Sequence, residues 1–288
     1  MCLIAWNWQP NSATPLLLLS NRDEFYGRPA LPMHWWDSAP NGTQILAGKD
    51  LQAGGTWLGV SRTGRLAALT NYRSAKPQRT DTPSRGELVA AFLHSDLSAS
   101  NYLQQLAPHC GEYNPFNLLV FDGQQLMGLE SKDAKLLTHA SGLGAVSNAG
   151  FHTPWPKLVQ LQAGLAAHAC LDDATDLHTF LPLLQDRTPV PDSALPKTGV
   201  PWELERALST VFIATPTYGT RASSVIALHQ HHAQFLEQSF GPQGLTGEAQ
   251  QQFRLCQAQR PPPSPVASCQ GLHGPAHGSA IRIHQQSP

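Results

Sequence analysis

The first twenty-six residues constrain this chain most. Met1-Cys2 runs directly into Leu3-Ile4-Ala5-Trp6, turn formers Gln9-Pro10-Asn11-Ser12 follow, and Pro15-Leu16-Leu17-Leu18-Leu19 leads into Ser20-Asn21-Arg22-Asp23-Glu24-Phe25-Tyr26. Two short apolar runs split by turn residues predict a β-hairpin. Its first strand begins on a thiol, and its second ends on a dense run of polar and charged groups. An apolar strand rarely leads into such a run unless those groups meet something at the strand end. Removal of Met1, which a side chain as small as that of Cys permits, makes Cys2 the first residue. Its α-amino group, with a reference pKa of about 7.7–8.0, then shares a residue with a thiol of about 8.5. One residue carries both nucleophile and base, and no distant histidine is required. Position alone leaves a plainer reading open, in which Cys2 is a small apolar residue at a strand start.

Downstream, the periodicity predicts strands over 45–48 and 55–60, a turn at Ser61-Arg62-Thr63-Gly64-Arg65, and a return strand over 66–71 that ends at Asn71-Tyr72-Arg73. A Pro- and Trp-rich connection, 28–41, is expected to lie over the surface near the site. Ser84 and Glu87 have capping-box spacing for a helix to about Leu93, and a second helix is expected over 98–106. Strands over 116–121 and 125–130 flank Asp122-Gly123, a hairpin turn signal. Short strands follow at 136–137 and 144–147, the latter running into Asn148. Helical spacing covers 155–171 and 177–184, with a short helix at 203–208. A strand at 211–214 and a hairpin of 221–228 with 234–240 complete the pattern. From 259 to 288 the composition shifts to Pro, Gly, Ser, His and Gln, too poor in apolar residues to order itself. The expected organisation is therefore a domain over 1–258 and a disordered tail over 259–288. Hairpins and helix pairs in this order are not βαβ alternation, and alone they support α+β with antiparallel sheets.

Several stretches together resemble one family. Ser20-Asn21-Arg22-Asp23-Glu24 after an apolar strand, Gly55-Thr56-Trp57-Leu58-Gly59-Val60, Leu69-Thr70-Asn71-Tyr72-Arg73, Ser84-Arg85-Gly86-Glu87-Leu88-Val89, Thr153-Pro154-Trp155-Pro156-Lys157 and Tyr218-Gly219-Thr220-Arg221 occur in this order up to about Phe253. The pattern is similar to that of the NRDE family, also called the transport and Golgi organisation family, a branch of the N-terminal-nucleophile (Ntn) hydrolases. The resemblance implies a four-layer αββα sandwich of two mostly antiparallel sheets. It also implies a hydrolase acting on a non-peptide amide or acyl thioester, without a cofactor. The Ntn acylase order of Cys, Arg, Asp, Asn, Asn, Arg falls here on Cys2, Arg22, Asp23, Asn71, Asn148 and Arg221. Cys2 would attack a carbonyl, with Arg22 favouring the thiolate and Asp23 holding the α-ammonium. Asn71 would receive the oxyanion, an interaction worth about 3–4 kcal/mol per donor in a protease. Asn148 and Arg221 would position the substrate or the N-terminus. In the acylases the acid follows the arginine by three positions, whereas here it follows directly. Alternation along a strand puts Arg22 and Glu24 on one face, so Glu24 also stands open for the acid's role. The family's link to haem handling supplies the alternative, a haem-binding or trafficking protein on the same fold.

Composition removes other classes. Nineteen Lys plus Arg against twenty Asp plus Glu leave a net charge of −1, which gives no footprint for nucleic acid or an anionic membrane. Five scattered cysteines without Cys-x-x-Cys argue against a disulfide framework or zinc ribbon, and suit a reduced, cytoplasmic setting. The run Leu16 to Leu19 is far short of the roughly 20 residues of a membrane span. Leu195-Pro196-Lys197-Thr198-Gly199 has the form of a sorting signal but is followed by a polar helix pattern. His229-Gln230-His231-His232 falls at an expected hairpin tip, where histidine serves as a surface polar residue rather than a metal ligand.

Overall fold

The computed structural model describes residues 2–256 apart from 38, 40, 41 and 169–175. The Pro-, Gly- and His-rich stretch 259–288 and the end of the helix expected over 155–171 thus lie outside the described residues. In chain order the elements are β1 (Cys2–Trp8), β2 (Leu16–Phe25), β3 (Ala30–Trp35), β4 (Ile45–Asp50), β5 (Leu58–Ser61), β6 (Leu66–Asn71), α1 (Gly86–His94) and α2 (Ala99–Leu106). They continue with β7 (Phe116–Phe121), β8 (Leu126–Glu130), β9 (Lys135–Thr138), β10 (Gly142–Val146), α3 (Pro156–Ala167), α4 (Leu181–Leu184), α5 (Trp202–Ala207), β11 (Tyr218–Leu228), β12 (His232–Gly241) and β13 (Gly244–Arg254).

The strands form two antiparallel sheets. One runs β10-β1-β2-β11-β12-β13 and the other β3-β4-β5-β6-β7-β8-β9. Strand β1 is buried along its whole length because both of its faces are covered. Ile4 and Trp6 pack with Leu18, Leu58 and Leu119 between the sheets. Leu3 and Ala5 pack with Leu17, Leu19 and the α3 residues Leu158, Leu161 and Leu165 outside the first sheet. A third cluster sets Val89 and Phe92 of α1 and Leu103 of α2 against Ala67, Leu118 and Val120 of the second sheet. The order helix, sheet, sheet, helix is the four-layer α+β sandwich. It also explains why Leu16 to Leu19 is a continuous apolar run rather than an alternating one. A strand covered on both faces gains about 1.5–3 kcal/mol for each large side chain it buries, whichever way that side chain points.

Four local expectations are corrected. The segment 28–41 holds a strand, β3, because Pro32 sits in an edge strand where the register shifts between Leu31 and His34. Strand β13 carried no apolar alternation in its sequence, Gly244–Arg254, and lies at the sheet edge mostly exposed. Residues 211–214 are not a strand beyond one bridge at Ala214. Their backbone groups go elsewhere: the Asn21 amide donates to the Val211 carbonyl, and the Ile213 N–H donates to Thr220 Oγ1. The capping box at Ser84 does not form. Arg85 takes the cap position without a side-chain bond, and the Glu87 carboxylate accepts the Tyr113 hydroxyl instead.

One polar tie crosses the interior. Glu237 of β12 is 1% exposed and faces the second sheet. Its Oε1 accepts the Met33 N–H at 2.7 Å and its Oε2 accepts the Ser224 hydroxyl at 3.3 Å. Burial pushes this carboxyl up to about 7 despite those bonds. A carboxyl that holds its proton more tightly when folded favours the folded state below its unfolded value of about 4.3. That contribution is lost as pH rises toward 7. Glu237→Gln keeps an acceptor for Met33 and removes the titration. Denaturation curves should show it about 2–3 kcal/mol more stable than wild type at pH 8 and equal to it near pH 4.5. A constant offset between the two proteins across that range would refute the account.

Candidate active site

The site is built at the end of the first hairpin. In the β1–β2 register Cys2 lies opposite Arg22, and β2 continues against β11 with Asp23 opposite Thr220. Paired residues share a face, so Cys2 and Arg22 both point between the sheets. Asp23 points to the helical side with Asn21, as strand alternation requires. Cys2, Arg22, Asp23 and Asn71 all line one cavity of about 860 Å³ at this sheet end, with Trp57, Arg73, Arg85, Leu208 and Tyr218 among its other walls.

Arg22 is fixed from two sides. Its guanidinium lies 4.2 Å from the Trp57 ring centroid, and its Nη2 donates to Asp50 Oδ2 at 3.0 Å. The same oxygen accepts Arg28 Nε at 2.6 Å, while Asp50 Oδ1 takes the N–H groups of Gln52 and Ala53. Burial alone would raise the Asp50 carboxyl. The bonds from Arg28 and Ala53 and the charges of Arg28 and Arg22 outweigh it, so Asp50 ends below the usual carboxylate range. Nothing in the sequence singled out Asp50, because its tie to Arg22 spans β2 to β4.

Asp23 is 1% exposed, and its Oδ1 accepts the Thr220 hydroxyl at 2.8 Å. Burial raises this carboxyl, and the charge of Lys157 acts against that rise. Glu24 is half-buried on the cavity wall, its Oε1 accepting the N–H of Phe25. Burial likewise pushes the Cys2 thiol up, the charge of Asp23 adds to that rise, and the charge of Arg22 acts against it.

Asn148 is fully buried and is not among the cavity walls. Its amide nitrogen donates to the Asn71 carbonyl at 2.9 Å and to the Cys2 carbonyl at 3.4 Å. It therefore joins β1 of one sheet to the end of β6 in the other, with Ser147 Oγ also 3.4 Å from the Cys2 carbonyl. Arg221 departs further from expectation. The register shift between Thr220 and Ala222 makes it the extra residue of a bulge, which re-aims its side chain. Its Nη1 donates to the carbonyls of Phe25, Tyr26 and Arg28, and its Nε donates to that of Phe240. Arg221 is absent from the walls of the large cavity and lines a second one, of about 310 Å³, with Arg22 and Glu237. It clamps the β2–β3 turn and does not face Cys2.

Two quoted stretches meet here for a steric reason. A Cβ on Gly55 would fall 2.4 Å from the Gly86 carbonyl carbon, so only glycine lets the Gly55-Thr56-Trp57 segment touch the start of α1. Arg73, on the cavity wall, belongs to a buried pair that sequence reading missed. Arg73 Nη1 donates to Glu205 Oε2 at 2.7 Å, with side chains 3% and 5% exposed. Glu205 also accepts the N–H and hydroxyl of Thr198.

The fold and site define an α+β sandwich with a cysteine at the start of its central hairpin, opening on a charged cavity. The family model described as "Transport and Golgi organisation 2" matches residues 1–242, and the chain belongs to that family. It is 34% identical over 260 residues to the Transport and Golgi organization protein 2 homolog of Bos taurus, covering 83% of this chain and 93% of that one. It is 33% identical over 270 residues to the Homo sapiens homolog, covering 85% and 95%. Among solved structures it is similar to a conjugated bile acid hydrolase from Clostridium perfringens, with 10% identity, a TM-score of 0.48, and coverage of 89% of this chain and 98% of that one. It is also similar to a Caenorhabditis elegans ortholog of N-acylethanolamine-hydrolyzing acid amidase, with 11% identity, a TM-score of 0.47, and coverage of 78% and 92%. No helix among the described residues is long and apolar enough to cross a membrane.

Glu205→Gln leaves the Arg73 charge buried without its counter-charge, and breaking such a pair costs about 3–5 kcal/mol. Chemical denaturation should show a loss of that size, with Arg73→Met/Glu205→Gln recovering much of it. Equal stability of Glu205→Gln and wild type would show the pair to be energetically idle.

Proposed function

We propose that the protein is an Ntn-type cysteine hydrolase of a non-peptide amide or acyl thioester, with Met1 removed and Cys2 as nucleophile. The observation that carries the reading is Cys2 on the wall of the 860 Å³ cavity, with Arg22 opposite it in the β1–β2 register and the Asp23 carboxyl buried at the same strand end. The neutral α-amine of Cys2 takes the thiol proton as Sγ bonds to the substrate carbonyl carbon. Negative charge passes to the carbonyl oxygen, which the Asn71 side-chain amide stabilises. The carbonyl re-forms, and the amine or thiolate leaves with the proton from the α-ammonium. Water then adds to the acyl-enzyme by the same route in reverse and releases the acid. Asp23 holds the ammonium form of the terminus, Arg22 supports the thiolate, and Asn148 keeps the Cys2 main chain in place. Asp23 takes the acid's role rather than Glu24 because it is the buried carboxyl of the two and is held by Thr220. A reduced, cytoplasmic setting suits a reaction that needs a free thiol.

For haem carriage, the cavity offers Cys2 as the one thiol and no imidazole among its described walls. Both readings therefore converge on Cys2, and turnover separates them. The purified protein should have the mass of the chain without Met1. Cys2→Ala should abolish hydrolysis of a model thioester or amide. Cys2→Ser, which keeps the α-amine with a hydroxyl far harder to ionise, should leave a low residual rate. Cys110→Ala and Cys256→Ala should match wild type, because Cys110 is buried outside the second sheet and Cys256 is exposed. Turnover by Cys2→Ala equal to wild type sinks Cys2 as the nucleophile, and a fully active sample that retains Met1 sinks the α-amine as its base.

A further inference from the structure

We propose that Arg85, with Lys76 and Arg79, receives an anionic group, a carboxylate or a phosphate, of the molecule that enters the large cavity. Six cationic side chains but only three carboxylates stand among the described walls of that cavity. Three of the cations are already matched: Arg22 and Arg28 bind Asp50, and Arg73 binds Glu205. Lys76, Arg79 and Arg85 form no ion pair with a described residue. The two arginines bond to neutral oxygens instead. Arg79 Nη2 donates to the carbonyls of Gly111 at 2.9 Å and Tyr113 at 2.6 Å. Arg85 donates through Nη1 to the Pro115 carbonyl at 3.3 Å and through Nη2 to Gln78 Oε1 at 3.2 Å. Such bonds fix a guanidinium in direction, leave its charge uncancelled, and leave further N–H donors for an anion.

Hydrogen bonds tie Arg85 to the reacting end of the cavity from two sides. On one, the Thr56 N–H donates to the carbonyl of the next residue, Gly86, at 3.1 Å, and Trp57 stacks on Arg22, the residue paired with Cys2. On the other, the Pro115 carbonyl that accepts Arg85 also accepts the Tyr72 N–H at 3.0 Å, one residue past Asn71. Asn114 pins the segment that brings Lys76 and Arg79 to the wall. Its Oδ1 accepts the Arg79 N–H at 2.9 Å, and its Nδ2 donates to the Arg79 carbonyl at 2.8 Å. Even with Asp23 and Glu24 both ionised, these three cations leave the wall positive. Burial lowers the Arg85 guanidinium, and the charges of Cys2 and Glu24 act against that fall. Arginine stays protonated through such a shift, and partial withdrawal from water strengthens its attraction for an anion.

That the anion belongs to an acyl substrate rests on the hydrolase reading; the anion site does not, and its test needs no turnover. Cys2 in the full chain is alkylated with neutral iodoacetamide and with anionic iodoacetate, and peptide mass spectrometry follows each cysteine. Both reagents consume the same thiolate, the S–C bond forming as iodide leaves. The ratio of their rates therefore cancels thiol ionisation and reads the charge around the sulfur. Cys256, exposed and not on the described cavity wall, is the reference. In wild type the iodoacetate-to-iodoacetamide ratio at Cys2 should exceed that at Cys256 and fall toward it as salt is raised. Arg85→Gln should lower the Cys2 ratio about fivefold at low ionic strength, the effect of one partly screened charge. Arg85→Lys, which keeps the charge, should retain most of the ratio. Pyrophosphate or succinate should protect Cys2 from iodoacetamide in wild type and much less in Arg85→Gln, and the better protector at equal ionic strength assigns phosphate or carboxylate. Equal ratios in Arg85→Gln and wild type, or labelling that neither anion slows, would overturn the inference while leaving turnover by Cys2 untouched. Absence of acyl turnover in a wild type that keeps the anion preference would instead remove the hydrolase reading alone. Should Arg85→Gln fail to fold, Lys76→Gln carries the test, because Lys76 is exposed and forms no ion pair with a described residue. A fall of about twofold in its ratio supports the site, and an unchanged ratio overturns it.

Discussion

The pairing of β1 with β2 is the constraint on which the site depends. Its register places Cys2 against Arg22 and, by the two-residue period of a strand, sends Asp23 to the opposite face. A slip of one residue would carry Arg22 into the helical layer and Asp23 toward Trp57. The slip is prevented by bulk on both faces: Leu16 to Leu19 are at most 1% exposed, Leu16 and Leu18 filling the cluster between the sheets and Leu17 and Leu19 the one under the helices. Hydrophobic packing thus sets the alignment of a charged strand end that contributes little to the core itself.

Around that strand end the ionic groups are paired rather than scattered. Asp50 binds Arg22 and Arg28, and Glu205 binds Arg73. Single buried charges are expensive, and each pair offsets part of that expense with good geometry. The consequence is that Arg22, Arg28 and Arg73 on the cavity wall are each held by a carboxylate.

Much of this was legible in the sequence, and what was missed has physical causes. The opening hairpin, the strand over 66–71, the Asp122-Gly123 turn and the helix expected over 98–106 follow from local chemistry, and each is present. Local rules also place Cys2, Arg22, Asp23 and Asn71 at strand ends, and these four share the cavity. Asp50 and Glu205 were invisible as site residues because their partners Arg22 and Arg73 lie 28 and 132 positions away along the chain. Arg221 misled for the converse reason: its place in the chain order fits, but a single bulge turns its side chain to the β2–β3 turn. Bulges leave no reliable mark in one sequence, and neither does an edge strand as polar as β13.

The Asn148 bridge has a mechanical meaning. One amide nitrogen holds the carbonyl of Cys2 in one sheet and that of Asn71 in the other. The spacing between the sulfur's residue and the groups across the cleft is therefore not a property of either sheet. It is set by how closely the two halves of the sandwich are clasped at this rim. Anything that prises the layers apart there, whether heat, an oversized core side chain or a distorted β10, loosens the seat of the cysteine before it disturbs the hairpin that carries it. The seam between the layers is in this sense a gauge for the site, and the integrity of the interior is read out at a single main-chain oxygen.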